Sequence, residues 1–349
     1  MVACLAGSAN PFAACGNGYK DEPGPGADRL RSFFPDPPLP MSIPESFDWL
    51  PHAPLQRLEL DWLSRAGVEV AVLRLDLIDP LISGNKWFKL TEHLAAARTA
   101  GAHGIISLGG AHSNHLHALA AAGRRFAFPT VGLLRGHPQD TPTVLDLQAF
   151  GMRLHWLGYG GYRARHEAGF WTPWQARYPE LYPVPEGGGG LAGATGCMSL
   201  PDQVRHQLPG LGWSDYHGWW LAAGTGTTLA GLVLAEAGAH PVYGALAVPE
   251  DHGVAQQVEG ILQEAGQGPG GYQLLDSSRG GFAKVDEVLR GFIQLTEQQC
   301  ALPLEPLYTA KALLALQEQV QAGRFAPGCR LIFVHTGGLQ GRRGLLAQA

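Results

Sequence analysis

The hydrophobic pattern of this chain alternates between two periods from residue 68 onward. Residues 68–77, VEVAVLRLDL, place β-branched and apolar side chains as a strand does, and residues 85–101, NKWFKLTEHLAAARTAG, place apolar side chains at helical spacing before a glycine. Residues 104–110, GIISLGG, repeat the strand pattern, and residues 113–125, SNHLHALAAAGRR, repeat the helix pattern. This repeated order of strand and helix predicts a parallel sheet.

The same alternation continues along the rest of the chain. Further strands are predicted at residues 130–136, 153–158, 218–223, 242–248 and 330–338, and further helices at about 142–151, 227–238, 253–266, 285–300 and 308–323. Residues 160–200, which hold tryptophans, prolines and a run of four glycines, are predicted to form a long irregular connection. The predicted fold class is α/β, with open parallel sheets in two lobes and helices on both faces.

The pattern also predicts how the chain divides. We expect a smaller α/β lobe at residues 91–197 and a larger lobe made of residues 41–90 and 198–349, with the ligand in the cleft between them. Residues 1–40 are crowded with proline, glycine and charge toward their end, so we expect a disordered N-terminal extension. Met41 is a candidate start of the protein, because the ordered pattern begins just after it.

Composition narrows the classes of partner. The chain has 349 residues and a formal net charge of -5, without blocks of like charge, so nothing favours binding to nucleic acid or to an anionic membrane surface. The five cysteines are scattered and include no C-x-x-C pair, which is typical of a reducing compartment and does not favour a structural metal site. With no apolar run of membrane-spanning length and no signal-peptide pattern, we expect a cytoplasmic protein that binds small molecules.

Ligands of open α/β sheets bind where strands end and helices begin, and four such junctions carry polar residues. In AAGTGTTLAG, residues 222–231, two glycines and three threonines precede a helix, so their N–H groups and hydroxyls can converge on a phosphate. An ordinary tight turn is the alternative. The loop lacks the P-loop lysine and the acid of a dinucleotide fingerprint, which weakens a dinucleotide-dependent oxidoreductase as an interpretation.

GGAHSNHLH, residues 109–117, is the second junction. Its paired glycines allow close approach of the backbone, and Ser113 and Asn114 stand where a hydroxyl and an amide point outward, although an ordinary capped helix would look the same. His115 and His117 are two residues apart and face different sides of a helix, so we expect no metal site.

SGNKWFKL, residues 83–90, places Lys86 and Lys89 in the first turn of a helix, where the macrodipole disfavours a cation. Near a cleft of low dielectric, the neutral amine of Lys86 becomes accessible, and a neutral lysine is a nucleophile toward aldehydes. Pyridoxal 5'-phosphate (PLP) carries both an aldehyde and a phosphate. Lys86 and the loop at 224–228 therefore supply two of the groups that this cofactor needs.

The last two junctions are PLEPLYTAK, residues 303–311, and HTGGLQG, residues 335–341. Tyr308 can stack on a cofactor or contact a substrate, while the alternative for a single tyrosine is packing in the core. Thr309 and Thr336 provide neutral hydroxyls that can meet the ring nitrogen of a cofactor.

Five motifs, SGNKWFKL, GGAHSNH, GTGTTLAGL, EPLYTAK and HTGGLQG, occur in an order and spacing that resemble one branch of PLP enzymes. That branch contains 1-aminocyclopropane-1-carboxylate (ACC) deaminase and D-cysteine desulfhydrase, and the resemblance spans roughly residues 45–345. It implies a fold like that of the tryptophan synthase β subunit.

The resemblance also implies a role for individual residues. Lys86 would form the Schiff base, with Lys89 behind it, and Asn114 would face the 3'-oxygen of PLP. Ser113 would face the substrate carboxylate or the reacting carbon, and Tyr308 would be an active-site tyrosine. The remaining cofactor-binding residues would be the phosphate loop of Gly224, Thr225, Gly226, Thr227 and Thr228, together with Thr309 and Thr336 beside the ring.

Three positions depart from the family pattern. Thr309 replaces the glutamate that follows the tyrosine in ACC deaminases, His112 replaces a glutamine, and no tyrosine occurs near residues 279–282. Opening a cyclopropane should need the stronger electron sink that a glutamate at the pyridine nitrogen provides. The pattern therefore favours D-cysteine desulfhydration to pyruvate, ammonia and sulfide.

Several alternatives remain open. They are ACC deamination, a racemase, a dehydratase of hydroxyl amino acids, and a protein that binds PLP with little turnover. A homodimer is implied by the resemblance alone.

Overall fold

The computed structural model describes residues 42–45, 47, 49 and 51–345. The strands are β1 (Leu55–Leu58), β2 (Glu69–Arg74), β3 (Gly104–Gly109), β4 (Thr130–Leu134), β5 (Arg153–Trp156), β6 (Leu181–Val184), β7 (Gly218–Ala223), β8 (Val242–Leu246), β9 (Tyr272–Asp276) and β10 (Arg330–His335). The expectations of a disordered extension at 1–40 and of a start at Met41 fall outside the described residues.

Thirteen α-helices accompany these strands within the described part of the chain. They are α1 (Asp61–Ala66), α2 (Lys86–Thr99), α3 (Asn114–Phe126), α4 (Pro142–Ala149), α5 (Gly158–Arg163), α6 (Thr172–Arg177), α7 (Gly190–Cys197), α8 (Leu200–Gln207), α9 (Thr227–Glu236), α10 (Val254–Glu264), α11 (Glu287–Cys300), α12 (Thr309–Gln321) and α13 (Arg342–Leu345). Short 3-10 turns connect several of them.

The strands form two sheets. The larger sheet has the order β1-β2-β10-β7-β8-β9, in which β1 is antiparallel to β2 and the other pairs are parallel. The smaller sheet has the order β5-β4-β3-β6 and is parallel throughout. We call the smaller sheet with its helices the small lobe and the larger sheet with its helices the large lobe. The predicted α/β class is confirmed, while the residue boundaries of the two lobes stay a prediction.

Helices cover both faces of the large sheet, as successive side chains of β7 show. Trp219 packs in the cluster on one face with Leu73 and Val334, and Trp220 packs in the cluster on the other face. Both indoles are fully buried, and each finds a hydrogen-bond acceptor, the Glu236 carboxylate for Trp219 and a helix carbonyl for Trp220. A strand that is buried on both faces reads as a continuous apolar run, which is why GWWLAA was recognisable in the sequence.

The prediction of an irregular connection over residues 160–200 is wrong. This segment contains β6, which pairs with β3 at the edge of the small sheet, and the glycine-rich helix α7. An edge position tolerates Pro183 in β6 because the missing N–H need not face another strand. Helix α7 owes its glycines to tertiary packing, since a Cβ on Gly196 would lie 1.9 Å from the Phe88 carbonyl oxygen of α2.

Candidate active site

The loops that follow β2 and β10 touch backbone to backbone. Gly84 has a φ of +83°, and a Cβ on it would lie 2.2 Å from the carbonyl oxygen of Thr336. The same Thr336 carbonyl accepts a hydrogen bond from the Asn85 N–H at 3.1 Å, and Gly337 also has a positive φ, of +79°, against Gly84. Only glycines permit this approach, and it fixes the residue before Lys86.

Lys86 begins α2 and is linked through Asn85 to the glycine-threonine loop. Its Nζ donates to Asn85 Oδ1 at 2.9 Å, while Asn85 Nδ2 donates to Thr228 Oγ1 at 2.9 Å. Two predicted site residues that are far apart in sequence, Lys86 and Thr228, therefore meet through one buried amide.

Lys89 lies one turn further along α2 and reaches the same loop. Its Nζ donates to Thr225 Oγ1 at 3.3 Å, and the residue is buried. The structure thus places the second lysine directly on the predicted phosphate loop rather than behind Lys86.

Desolvation acts on both amines. Lys86 keeps some solvent exposure, but the surrounding protein and the nearby charge of Lys89 hold the pKa of Lys86 well below its usual range. Burial lowers the pKa of Lys89 to about 8. Each ammonium is therefore easier to deprotonate than an exposed lysine, which is the property expected of an amine that reacts with an aldehyde.

The glycine-threonine loop joins β7 to α9, and its shape depends on Gly226. This residue has a φ of +71°, and a Cβ on it would lie 2.4 Å from Val258 Cγ2. The Thr225 and Thr227 hydroxyl oxygens are 3.0 Å apart and stand at the N-terminus of a helix of 10 residues. Hydroxyls and free N–H groups at a helix N-terminus suit a phosphate.

The small lobe adds buried histidines to this side of the site. His115 Nε2 lies 2.8 Å from Ser107 Oγ, whose proton goes to the Val184 carbonyl, so the imidazole donates from Nε2. Its Nδ1 is then an acceptor without a partner among the described residues. Burial, with the nearby charges of Lys86 and Lys89, holds the pKa of His115 well below its usual range, so this ring is neutral.

No carboxylate forms an ion pair with Lys86 or Lys89 among the residues that the structure describes. Two lysines that face each other in a desolvated site destabilise the folded protein unless a negative charge joins them. The donor set therefore fits a ligand that carries an anionic group beside the threonine loop and an electrophile near Lys86.

Ser113 and Asn114 stand at the start of α3, as predicted. Ser113 Oγ accepts the Leu116 N–H at 3.2 Å as a helix cap, which leaves its own hydroxyl proton free to donate. Asn114 Oδ1 accepts from Gln340 Nε2 at 2.9 Å, and a Cβ on Gly338 would lie 2.6 Å from Asn114 Nδ2. Asn114 therefore joins the small lobe to the loop that follows β10.

A second contact between the lobes lies further out. Arg343, in α13, forms an ion pair with Asp146 of α4, and Asp146 also accepts from His117 Nε2 at 3.1 Å. His117 and His115 thus have different partners, and no group of three or more possible metal ligands occurs within the described ranges.

Among the described residues, none of the helices has the length and apolar character that a membrane span requires.

Tyr308 lies against the glycine-threonine loop. A Cβ on Gly224 would lie 2.9 Å from Tyr308 Cε1, so the absence of a side chain at Gly224 makes room for the ring. Phe282 packs edge-on against Tyr308 with 5.3 Å between ring centroids. Burial and the neighbouring Glu305 carboxylate hold the pKa of Tyr308 well above its usual range, so the phenol keeps its proton.

Several proteins of known name are similar to this chain in sequence. No protein-family model matches the chain. D-cysteine desulfhydrase of Klebsiella pneumoniae is 26% identical over 289 residues, which cover 78% of this chain and 87% of the relative. The ACC deaminase of Ralstonia pickettii is 25% identical over 327 residues, with 85% and 94% covered. A bifunctional D-cysteine desulfhydrase/ACC deaminase of Arabidopsis thaliana, described as mitochondrial, is 26% identical over 314 residues, with 82% and 76% covered.

The chain is similar in sequence to proteins named ACC deaminase and D-cysteine desulfhydrase. The resemblance inferred from the five motifs is thereby confirmed. A solved ACC deaminase homologue superposes with a TM-score of 0.73 at 24% identity, covering 93% of this chain and 100% of that chain. The likeness at this identity establishes the fold, and the predicted fold is confirmed.

Thr309 and Thr336, the two threonines predicted to meet a cofactor ring, differ in their surroundings. Thr309 is fully buried, and its hydroxyl accepts the Glu305 N–H at 2.7 Å and lies 3.1 Å from the Glu305 carbonyl, to which it donates. Thr336 is partly exposed, and its carbonyl holds Asn85. Both remain predicted cofactor contacts, with the hydroxyl of Thr309 already engaged.

Sequence reasoning missed four residues that shape the candidate site. They are Asn85, Gln340, Glu305 and Lys311. Each lies inside a motif that was singled out, so a search for polar residues within those motifs would have found them. Asn85 and Gln340 have partners that are distant in sequence, and Glu305 and Lys311 bind backbone groups. A hydrophobic periodicity reveals neither kind of contact.

Lys311 fastens the loop that carries Phe282. Its buried Nζ donates to the carbonyl oxygens of Ser278 at 2.8 Å, Gly281 at 2.8 Å and Phe282 at 3.0 Å. Burial lowers the pKa of this amine to about 8, and the three carbonyls use all of its donors. Lys311 therefore binds three carbonyls of the loop opposite Tyr308 with a single side chain.

Replacing Lys311 by methionine should destabilise the protein strongly. The change leaves three carbonyls without their donor, and we expect the free energy of unfolding to fall by about 2–4 kcal/mol in urea titrations at pH 7. The matched control is Lys284→Met on the same loop, where the side chain is exposed and the expected change is within about 0.5 kcal/mol. Equal losses in the two variants would contradict the role given to Lys311.

Proposed function

We propose that this protein is a PLP-dependent lyase that acts on a small amino acid, and that D-cysteine is its preferred substrate. One observation carries the proposal. Two desolvated lysine amines, on Lys86 and Lys89, lie beside a glycine-threonine loop at a helix N-terminus and have no carboxylate partner among the described residues. PLP supplies the missing phosphate and the aldehyde in one molecule.

The residues present fit that group. The loop at 224–228 and Lys89 would hold the phosphate, because their hydroxyls and ammonium already converge. Lys86 would hold the aldehyde carbon, and Asn114 would meet the 3'-oxygen through the Nδ2 donors that Gln340 leaves free. Thr336 would meet the ring nitrogen. When bound, PLP supplies an electron sink for the substrate α-carbon.

The protein's own groups would then move protons and orient the substrate. The free amine of Lys86 has a lowered pKa, so it can take the α-proton of the substrate near neutral pH. The Ser113 hydroxyl has its proton free to donate to a substrate carboxylate. Tyr308 keeps its phenolic proton and can donate it toward a leaving group.

D-Cysteine is favoured over ACC by the position of Thr309. A glutamate there is the feature that the ACC deaminase pattern uses at the ring nitrogen, and this chain has a threonine whose hydroxyl is bonded to the Glu305 backbone. ACC deamination is the second candidate, supported by relatives named ACC deaminase and by the relative from Arabidopsis thaliana that carries both names. A homodimer and a cytoplasmic location remain part of the proposal on the strength of resemblance and composition.

A panel of four substrates tests the function. The purified protein, loaded with PLP, is given D-cysteine, L-cysteine, ACC or D-serine, and keto acid and sulfide are measured. We expect pyruvate, ammonia and sulfide in equal amounts from D-cysteine, with water consumed and no external oxidant.

The other outcomes of the panel identify the alternatives. Keto acid from ACC without turnover of D-cysteine would select ACC deaminase. Retention of PLP without turnover of any panel member would leave a PLP-binding protein and contradict a lyase. Absence of PLP binding would overturn the proposal altogether.

A further inference from the structure

The backbone at Tyr308 is held by a buried carboxylate. Glu305 lies in the loop before α12, with only 1% of its surface exposed. Its Oε1 accepts the Leu307 N–H at 2.8 Å, and its Oε2 accepts the Tyr308 N–H at 2.8 Å. Both carboxylate oxygens are therefore spent on the two peptide groups that set the direction of the Tyr308 side chain.

A carboxylate is not needed merely to start a helix here. Ser113 and Thr141 cap α3 and α4 with hydroxyls, at no cost in buried charge. The loop before α12 already has such a hydroxyl, because Thr309 bonds the Glu305 backbone at both its N–H and its carbonyl. The ionisable side chain of Glu305 is thus additional to the ordinary means of closing this turn.

The surroundings of Tyr308 show what the carboxylate stabilises. The tyrosine ring is confined between Gly224 of the phosphate loop and Phe282, so a small rotation of its backbone would move the phenol out of the site. Glu305 also packs beside the loop after β10, since its Cγ would lie 3.6 Å from a Cβ on Gly338. The carboxylate thus binds the loop that carries Tyr308, and the Cγ of the same side chain lies beside Gly338.

We propose that Glu305 is a positioning residue that holds Tyr308 in the reactive geometry only while its carboxylate is ionised. The inference rests on the proposed function of the site. Protonation would convert one oxygen from an acceptor into a donor facing an N–H group, so one of the two anchoring hydrogen bonds would be lost. The activity would then fall as the carboxyl gains a proton.

The charges that face Glu305 come from several elements. They are Lys86 of α2, Lys311 of α12 and Arg342 of α13, with the neutral phenol of Tyr308 beside them. Burial raises the pKa of Glu305 to about 7, although the two N–H groups, Lys311 and Arg342 oppose the rise. Because the folded-state value lies above the ordinary one, the ionised form is present above pH 7 and is lost as the pH falls through it.

The decisive experiment compares the pH profiles of kcat for the wild type and Glu305→Gln. We expect an acid limb near pH 7 in the wild type. The variant should have kcat lowered about tenfold at pH 8.5, with KM little changed and no limb near pH 7. The matched control is Glu297→Gln, whose carboxylate accepts the Leu304 N–H at 2.9 Å in the same loop and pairs with Arg342, but does not contact Tyr308. That control should keep the limb.

A second measurement does not depend on turnover. In the PLP-free protein labelled with 13C at glutamate carboxyls and tyrosine rings, one carboxyl signal, absent in Glu305→Gln, should titrate near pH 7. The Tyr308 ring signal, identified with Tyr308→Phe, should shift over the same range. A Glu305 carboxyl that titrates near its ordinary value, or a Tyr308 signal that ignores it, would overturn the inference. A wild type that is inactive on every panel substrate would overturn the proposed function instead.

Discussion

Replacing Lys86 by alanine should abolish covalent attachment of PLP and lower elimination activity by at least about a thousandfold, because the proposal gives Lys86 both the reacting amine and the proton transfer. The phosphate loop and Lys89 stay intact in this variant, so PLP should still bind reversibly. The measurement is borohydride reduction followed by peptide mapping. In the wild type, the label should lie on the peptide that contains residue 86.

Lys89 provides the control for this prediction. Both amines lie in the site with a lowered pKa, and Lys89 Nζ is 3.3 Å from Thr225 Oγ1. Lys89→Ala should therefore weaken PLP binding, because the anion loses a cation, and should leave the label on Lys86. If the reduced label is unchanged in Lys86→Ala, or is lost in Lys89→Ala alone, the covalent role belongs to Lys89 and the prediction is wrong.

Gly84→Ala is expected to combine a steric clash with backbone strain at the residue next to Asn85. The new Cβ would lie 2.2 Å from the Thr336 carbonyl oxygen, and the φ of +83° is costly for alanine in any surroundings. The backbone that carries Asn85 and Lys86 must shift. We expect a loss of about 3 kcal/mol or more in the free energy of unfolding, together with loss of PLP attachment.

Gly101→Ala separates the clash from the backbone strain. Gly101 has a φ of +69° and nothing within 4 Å of a Cβ, so alanine there should cost only about 1 kcal/mol and leave PLP binding unchanged. Urea titration and absorbance of bound PLP measure the two effects. Equal losses at both positions would show that the contact between the loops is unimportant.

The sequence allowed most of the alternating elements to be predicted for a physical reason. Strands such as β7 are buried on both faces, so their residues form continuous apolar runs, and glycines mark where the helices stop. Residues 160–200 were predicted wrongly because β6 and α7 exist through their neighbours. Gly196 favours neither helix nor strand by itself, and it is helical because only a glycine fits against the Phe88 carbonyl.

The location of the candidate site could be predicted from the sheet topology, but its internal hydrogen bonds could not. The carboxyl ends of parallel strands bring the loops together, so Lys86 and the loop at 224–228 could be expected as neighbours from the sequence. The bonds of Asn85 to Thr228 and of Asn114 to Gln340 join positions 143 and 226 residues apart, and a local pattern carries no information about them. Glu305 was hidden for another reason, since a glutamate before a helix usually indicates an exposed residue.

The two lobes meet through contacts of different chemical character. Near the reacting groups, Asn114 and Gln340 share a bond between uncharged amides, whereas Arg343 and Asp146 form an ion pair further out on a partly exposed surface. Dissolved salt screens charges but leaves amides nearly untouched. Raising ionic strength therefore loosens the rim of this junction while its centre stays joined, so any opening of the protein would begin at the outside and move inward.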